Sequence, residues 1–310
     1  MNTDYPKVSV FVLTFNQREF VPAAIESILI QHYPNLEIVI GDDGSSDGTQ
    51  EILLEYKEKH SDLFKLILSA KNEGISVNCN KILKECTGVY VAFLAGDDIW
   101  LPGKLLKQVD LMQNNPGASL CVSKIECFES KTNKTMYISP RDDFNVENMS
   151  IIDIAYYIGS HGSSMMFHRD AAPKYGFESS LPMVSDWLFY IEVLRNGDVI
   201  FINEVLARYR RHGTNVSNYL DLIFKEHIQT LFLLESKYED MREDVSNFMK
   251  KYVLLNASTI INKTNNHELK LSHLHKILSS SSTAILLKCI LKIIVKRIAK
   301  RIIFAPEKLR

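Results

Sequence analysis

Val8-Ser9-Val10-Phe11-Val12-Leu13 is a β-branched, apolar run that ends abruptly in the polar Thr14-Phe15-Asn16. Strands buried on both faces read this way, as continuous apolar stretches rather than alternating ones. The next segment, Glu19–Gln31, places Phe20, Ala23, Ala24, Ser27 and Ile28 at helical spacing, with Pro22 tolerable in a first turn. The alternation continues outward. Leu36–Ile40, Leu63–Leu68, Tyr90–Ala95 and Ala118–Val122 read as strands, and about 47–59, Ser76–Cys86 and Leu101–Gln113 as helices. A β-α-β-α-β-α-β order predicts an α/β fold, a mostly parallel sheet flanked by helices.

The second half is patterned differently. Residues 125–140 suggest a hairpin or irregular strands, Met149–Gly159 a helix and Ser163–His168 a strand. Val184–Arg195 reads as a helix, followed by separate strands near Val199–Ile202 and Val205–Tyr209. Beyond Asn218 the pattern is all helical, over Tyr219–Tyr238, Val245–Asn262 and His267–Leu278, with a break at Ser279–Ser282.

Composition narrows the function classes. The 310 residues are 46% apolar and 24% charged, which excludes a disordered chain or a disulfide-rich miniprotein. The net charge of −1 hides a tail, 284–310, of about +7 on a body of about −8. A body of that sign predicts no nucleic-acid partner. Five cysteines, Cys79, Cys86, Cys121, Cys127 and Cys289, show no C-x-x-C spacing. They read as small apolar residues of a reducing compartment. Met1–Lys7 lacks a leader pattern, and no uncharged apolar stretch is long enough for a transmembrane helix.

In open α/β sheets ligands bind outside the C-terminal strand ends. There the sequence is rich in Asp, Asn, Gly and Ser. One such loop is Gly41-Asp42-Asp43-Gly44-Ser45-Ser46-Asp47-Gly48-Thr49. A calcium loop counted from Asp43 fails, because position twelve is Leu54 rather than a bidentate Glu. Carboxylates receiving a ribose or base, or a solvated turn in which Asp47 caps the next helix, remain. The other loop, Gly96-Asp97-Asp98-Ile99-Trp100, places two carboxylates side by side after a buried strand. Such a pair repels itself unless a cation or donors compensate, and Mg2+ or Mn2+ with substrate phosphates is the economical answer. No G-x-G-x-x-G follows the first strand and no Walker A motif occurs, which argues against dinucleotide oxidoreductases and P-loop NTPases.

These segments together resemble a family 2 glycosyltransferase of the GT-A fold, of the inverting kind found in bacterial surface-polysaccharide synthesis. The resemblance is carried in order by Val8–Asn16, Asp42–Thr49, Asn72-Glu73-Gly74 with Asn80, Phe93–Pro102, Ser185-Asp186-Trp187 and Arg208-Tyr209-Arg210-Arg211-His212-Gly213. It implies a catalytic domain over 1–217, with a nucleotide-sugar half to about 123 and an acceptor half from 124, and a helical extension over 218–310. It implies transfer of a hexosyl or N-acetylhexosaminyl group from a nucleotide-diphosphate donor, uridine foremost, to an acceptor hydroxyl. Thr14, Asn16, Asp42, Asn72, Asn80 and Asp97 would then bind the donor, Asp98 and His212 a Mn2+ or Mg2+ ion, and Asp186 would be the general base. Its arginines offset diphosphate charge or form a solvated edge. The sequence departs from the family at Ala95, where many relatives carry Asp, and at Cys79, where many carry Arg.

Within 284–304, Leu287, Ile290, Leu291, Ile294, Val295, Ile298 and Ile302 form an apolar stripe, with Lys288, Lys292, Lys296, Arg297, Lys300 and Arg301 outside it. A basic amphipathic helix of this kind fits an anionic membrane surface, the protein body or a partner. On the first reading the protein is cytoplasmic, peripheral on the inner face of the cell membrane, and serves a glycan or glycolipid acceptor. Two other functions are compatible with acidic strand ends. A nucleotidyltransferase would want a Gly-rich, Arg-containing loop where Thr14-Phe15-Asn16-Gln17 stands. A non-catalytic scaffold would bind a sugar nucleotide without transfer. The sequence leaves the oligomeric state open.

Overall fold

The computed structural model describes residues 5–142, 144–213, 215 and 218–263. The expected helix His267–Leu278, Cys289 and the basic segment 284–304 lie outside the described residues. The chain separates at Glu226/His227 into two compact units. The first carries a nine-stranded sheet.

The opening alternation is as expected. β1 (Val8–Thr14), β2 (Leu36–Asp42), β3 (Phe64–Leu68) and β4 (Tyr90–Ala95) are mutually parallel, joined by α1 (Val21–Leu29), α2 (Thr49–Lys59) and α3 (Ile75–Glu85). Val8, Val10, Val12, Ile38, Ile40, Ala92 and Leu94 are buried in one core with Ile25 and Ile28 of α1. Each large aliphatic side chain so buried stabilises the fold by roughly 1.5–3 kcal/mol.

Beyond β4 the sheet becomes mixed. β5 (Ile99–Trp100) precedes α4 (Lys104–Asn114), then come β6 (Ala118–Glu129), β7 (Thr135–Ser139), α5 (Ile151–Ile158), a 3₁₀ turn Gly159–Ser164 and β8 (Met165–His168). After β8 follow α6 (Ser185–Leu194) and β9 (Asp198–Arg211). β8 inserts between β4 and β6, antiparallel to both, so these two point the same way without touching. The two strands expected near Val199–Ile202 and Val205–Tyr209 are one, parallel to β6. Asn203 and Glu204 shift its register between Ile202 and Val205 rather than ending it. β6 also runs further than its apolar start suggested. Its buried Lys124 ion-pairs with Asp142, and Glu126 receives Arg208, so polar residues are accommodated inside the strand.

β5 matters most for the site. It follows β4 after only three residues yet pairs antiparallel with β9, Ile99 opposite Arg208 and Trp100 opposite Ala207. The loop Gly96–Asp98 is thereby pinned between β4 and the end of β9. Trp100 is core, with its indole Nε1 donating to the Ser163 carbonyl at 2.6 Å.

α7 (Leu220–Lys237) and α8 (Arg242–Lys263) follow, α7 running across the unit boundary. Within the second unit Ile228, Leu231, Leu234, Val245, Phe248 and Tyr252 are buried. The partly buried His227 meets the Tyr252 hydroxyl at 2.6 Å, and desolvation lowers its pKa to about 4. Among the described residues no helix is long and apolar enough to cross a membrane.

Candidate active site

The ends of β1 and β2 carry the first acidic loop. Asp42 is fully buried, and its carboxylate accepts from Thr14 Oγ1 at 2.8 Å, Ser45 N at 2.9 Å, Ser45 Oγ at 2.6 Å and Gln50 Nε2 at 2.7 Å. Asp43 accepts the Glu73 and Gly74 amides at 2.8 and 2.9 Å, tying the β2 loop to the start of α3. Gly44 stands at φ +73° with the Lys71 backbone 2.3 Å from where a Cβ would lie, so only glycine fits there. Asp47 accepts from Thr49 N and Oγ1 at 3.0 and 2.6 Å and from Arg18 N at 3.0 Å. Burial opposes its ionisation, but these donors outweigh burial and hold its pKa below the ordinary range. Asp47 thus caps the start of α2 although Gly48 occupies the cap position.

Asn16 sits in the left-handed region at φ 51°. Its Oδ1 accepts Ser46 N at 2.9 Å, and its own amide donates to Ser45 Oγ at 2.7 Å. Asn72 is exposed. With Thr14, Asp43, Gly74, Asn78 and Pro182 it lines a cavity of about 250 Å³. Asn80 turns elsewhere: its amide clamps the Phe177 backbone, accepting from N at 2.7 Å and donating to O at 2.8 Å. Asn78, two residues earlier, is the side-chain amide that α3 brings to the cavity. It donates to the Gly41 carbonyl at 2.9 Å, and its buried Oδ1 has no partner among the described residues. Sequence reading missed it, and its position one helical turn after Gly74 was the available signal.

The second acidic loop is built by β4, β5 and β9. Gly96 packs so closely that a Cβ would stand 2.4 Å from Gln17 Oε1 and 2.5 Å from Thr14 Cγ2, which joins this loop to β1. Asp97 Oδ2 meets His212 Nε2 at 2.8 Å and Asn215 Nδ2 at 3.4 Å, while Oδ1 has no partner among the described residues. Asp98 is buried, accepting Ser163 Oγ at 2.5 Å and Arg210 N at 2.9 Å. Burial, with the Asp97 charge beside it, raises the Asp98 pKa well above the carboxylate range against those two donors. Arg210 donates Nε to the Asp97 carbonyl at 2.7 Å, which leaves Nη1 and Nη2 without hydrogen-bond partners among the described residues. Ser163, Asn215 and Phe20 complete this cluster. The sequence carried no signal for Ser163 or Asn215, which arrive from 65 and 118 residues away.

Asp186 lies in the first turn of α6, its Oδ1 accepting Trp187 N at 2.8 Å. Burial raises its pKa to about 6 against the hydrogen bonds from Trp187 and its own amide, with the Glu226 charge adding to the rise. The start of α6 is anchored on α3, where the Ser76 hydroxyl bonds to Leu181 O and Ser185 Oγ, both at 2.8 Å. Glu226 also accepts the Met183 and Val184 amides. Asp97, Asp98 and His212 therefore form one cluster and Thr14 and Asp42 another. Asp186 stands at a helix start whose approach, through Pro182, walls the cavity at Asn72 and Asn78.

Among the described residues no three His, Cys, Asp or Glu side chains converge in metal-holding geometry. The donor chemistry nonetheless suits a hard divalent cation. It offers two carboxylates and one imidazole, and the buried, self-repelling pair is what a cation relieves.

The family model for glycosyl transferase family 2 matches residues 9–176, just over half of the chain. The chain belongs to this family. It is 28% identical over 221 residues to an uncharacterized glycosyltransferase of Rickettsia typhi, covering 70% of this chain and 68% of that protein. It is 40% identical over 107 residues to TuaG of Bacillus subtilis, named for teichuronic acid biosynthesis, covering 34% of this chain and 42% of that one. The chain spans between 60% and 68% of the length of the first curated relatives it matches. Staphylococcus aureus TarS 1–349 in complex with UDP-GlcNAc superposes with a TM-score of 0.60 at 18% identity, over 86% of this chain and 77% of that one. The Pyrobaculum calidifontis mannosyltransferase PcManGT, in complex with GDP-Man and Mn2+, gives 0.60 at 17% identity, over 94% and 88%. The fold is therefore GT-A-like, a mixed sheet flanked by helices.

Proposed function

We propose that the chain is an inverting, metal-dependent glycosyltransferase. It moves a hexosyl or N-acetylhexosaminyl group from a nucleoside diphosphate sugar, a UDP-sugar foremost, to a hydroxyl of a lipid-linked or growing surface glycan. The observation that carries this reading is the Asp97–Asp98–His212–Arg210 cluster. It joins two carboxylates, one with a raised pKa, to an arginine whose terminal nitrogens are open. The UDP-GlcNAc and GDP-Man complexes of TarS and PcManGT support a nucleotide-sugar donor, and the name of TuaG supports a surface glycan.

On this reading the donor lies along the strand ends, its nucleoside toward Asn16, Asn72 and Asn78, over the loop that Thr14 and the saturated Asp42 hold in place. As the bond from the anomeric carbon to the phosphate oxygen breaks, its electron pair stays on the diphosphate. The Arg210 Nη groups donate to that growing charge. Asp97, Asp98 and His212 would hold Mn2+ or Mg2+, which when bound supplies further charge neutralisation at the same place. The acceptor hydroxyl attacks the opposite face and gives its proton to Asp186. A pKa near 6 leaves that carboxylate ionised at neutral pH, yet more basic than an ordinary aspartate.

Thermal unfolding in the presence of UDP-GlcNAc, UDP-glucose or GDP-mannose, with and without Mn2+, tests this. A metal-dependent rise with at least one donor, lost in Asp98→Ala, is expected. No rise with any of them overturns the reading. The basic segment 284–304 suits work at an anionic lipid surface, and deleting 284–310 should abolish binding to anionic vesicles while donor hydrolysis survives. Unchanged vesicle binding would contradict that part alone.

A further inference from the structure

We propose that Phe20 is a positioning residue whose single ring holds both the His212 imidazole and the Arg210 guanidinium at the leaving-group end of the site. What those two groups bind rests on the glycosyltransferase reading; the ring contacts do not.

The backbone at Phe20 is fixed from outside. Gln17 N donates to Thr49 Oγ1 at 2.9 Å and Arg18 N to Asp47 Oδ2 at 3.0 Å, which staples the β1–α1 loop to the start of α2. A tight turn then brings the Phe20 and Val21 amides onto the Gln17 carbonyl, each at 2.9 Å. Phe20 occupies the cap position of α1, where Ser, Thr, Asp or Asn would satisfy a free amide, and no side-chain cap bond is made there. Its ring is only partly buried and lines an open cleft of about 650 Å³ beside Asn16, Arg18 and His212. Neither capping nor core packing accounts for an aromatic residue at this position.

Its neighbours do. The His212 ring stacks on Phe20 at 4.8 Å between centroids, 28° from parallel. The Arg210 guanidinium carbon stands 5.0 Å from the Phe20 centroid and 4.8 Å from that of Phe128. Arg210 is therefore held by two aromatic rings and one hydrogen bond through Nε, with its two terminal nitrogens left open. An arginine fixed in this way has little rotamer freedom left to lose when an anion arrives. The same ring sets the plane of His212, whose Nε2 faces Asp97. Phe20 therefore couples the two groups that meet the diphosphate without itself touching the reacting atoms. Its loss should weaken the donor and leave acceptor binding alone.

Phe20→Leu keeps an apolar side chain and removes the aromatic face, whereas Phe20→Tyr keeps the face. In calorimetry on the full chain with UDP and Mn2+, Phe20→Leu should weaken binding about tenfold and raise the donor KM to match, while Phe20→Tyr stays within about twofold of wild type. The acceptor KM and the unfolding temperature should not move in either. In the metal-free protein, the His212 imidazole proton resonances should shift in Phe20→Leu, out of the ring current, and hold in Phe20→Tyr. Wild-type UDP affinity in Phe20→Leu, equal damage in both variants, or a static His212 spectrum would each overturn the role of Phe20. Wild-type protein that binds no nucleotide would instead sink the donor reading itself.

Discussion

Two loops of this protein gather aspartates at strand ends and do opposite physical work. In the loop after β2, Asp42, Asp43 and Asp47 are saturated by amides, hydroxyls and one side-chain amide. In the loop after β4, Asp98 is buried beside a second carboxylate with two donors, and Asp97 keeps one oxygen open. Saturated carboxylates hold loops in place; underserved ones are left for a ligand. Asp186, with a pKa raised to about 6, belongs with the second kind.

The largest effect should follow from removing the base. Asp186→Asn should lower kcat by roughly 10²–10⁴-fold with the donor KM unchanged, because the lost proton acceptor acts only in the transition state. In the wild-type enzyme the rate should rise with pH through about 6, as Asp186 loses its proton, and level off above it. A rate that is flat from pH 5 to about 7, or an Asp186→Asn enzyme of undiminished kcat, would remove Asp186 from that role.

Next comes Asp98→Asn, which should cost roughly 10²–10³ in kcat/KM, comparable to losing one electrostatic contact to a developing charge. The folded state should not suffer, since the substitution ends a like-charge contact with Asp97. Asp43→Ala should do the reverse. It strips a charged acceptor from the Glu73 and Gly74 amides and should lower unfolding stability by about 2 kcal/mol. Chemical denaturation of the two variants side by side checks the contrast. If Asp98→Asn unfolds as readily as Asp43→Ala, the division between the loops fails.

Some of this division was legible in the residues. The β1–β4 alternation shows because parallel strands covered on both faces need unbroken apolar runs. The insertion of β8 between β4 and β6 does not show, because its place is set by pairing across 40–80 residues rather than by its own pattern. The full length of β6 was hidden by Ser123, Lys124 and Glu126, which look like loop residues until their partners are in view. The site divides in the same way. Paired aspartates at strand ends announce a ligand, but whether a carboxylate is saturated depends on donors brought by folding, as Arg210 reaches Asp98 from 112 residues away. Asn80 and Asn78 show the cost. The spacing favoured the first, and the fold turns the second to the cavity.

The smallest expected effect sharpens the comparison on a single strand. Arg208 and Arg210 are two residues apart on β9, lie against the same Phe128 ring at 4.1 and 4.8 Å, and point from the same face. Arg208 donates Nε and Nη2 to Glu126 at 2.8 and 3.3 Å and Nη2 to Asn133 at 3.0 Å. Glu126 is completed by the Thr135 hydroxyl at 2.6 Å. Burial opposes the Glu126 charge, but these donors win and lower its pKa. Arg208 is thus a saturated group in the sense of Asp43, and Arg210 an open one in the sense of Asp98. Arg208→Met keeps the stem that covers Phe128 and removes a two-pronged, partly buried ion pair. It should cost about 1 kcal/mol of stability, a few degrees at most, with transfer unchanged. Because Glu126 loses a partner at low net charge but is not sealed from water, a double variant with Glu126→Gln should recover part of that loss. Arg210→Met should do the opposite, leaving the unfolding temperature near that of wild type and weakening UDP. Two arginines separated by one tyrosine would then report, one through stability and the other through affinity, which groups on this rim were finished by folding and which wait for a ligand.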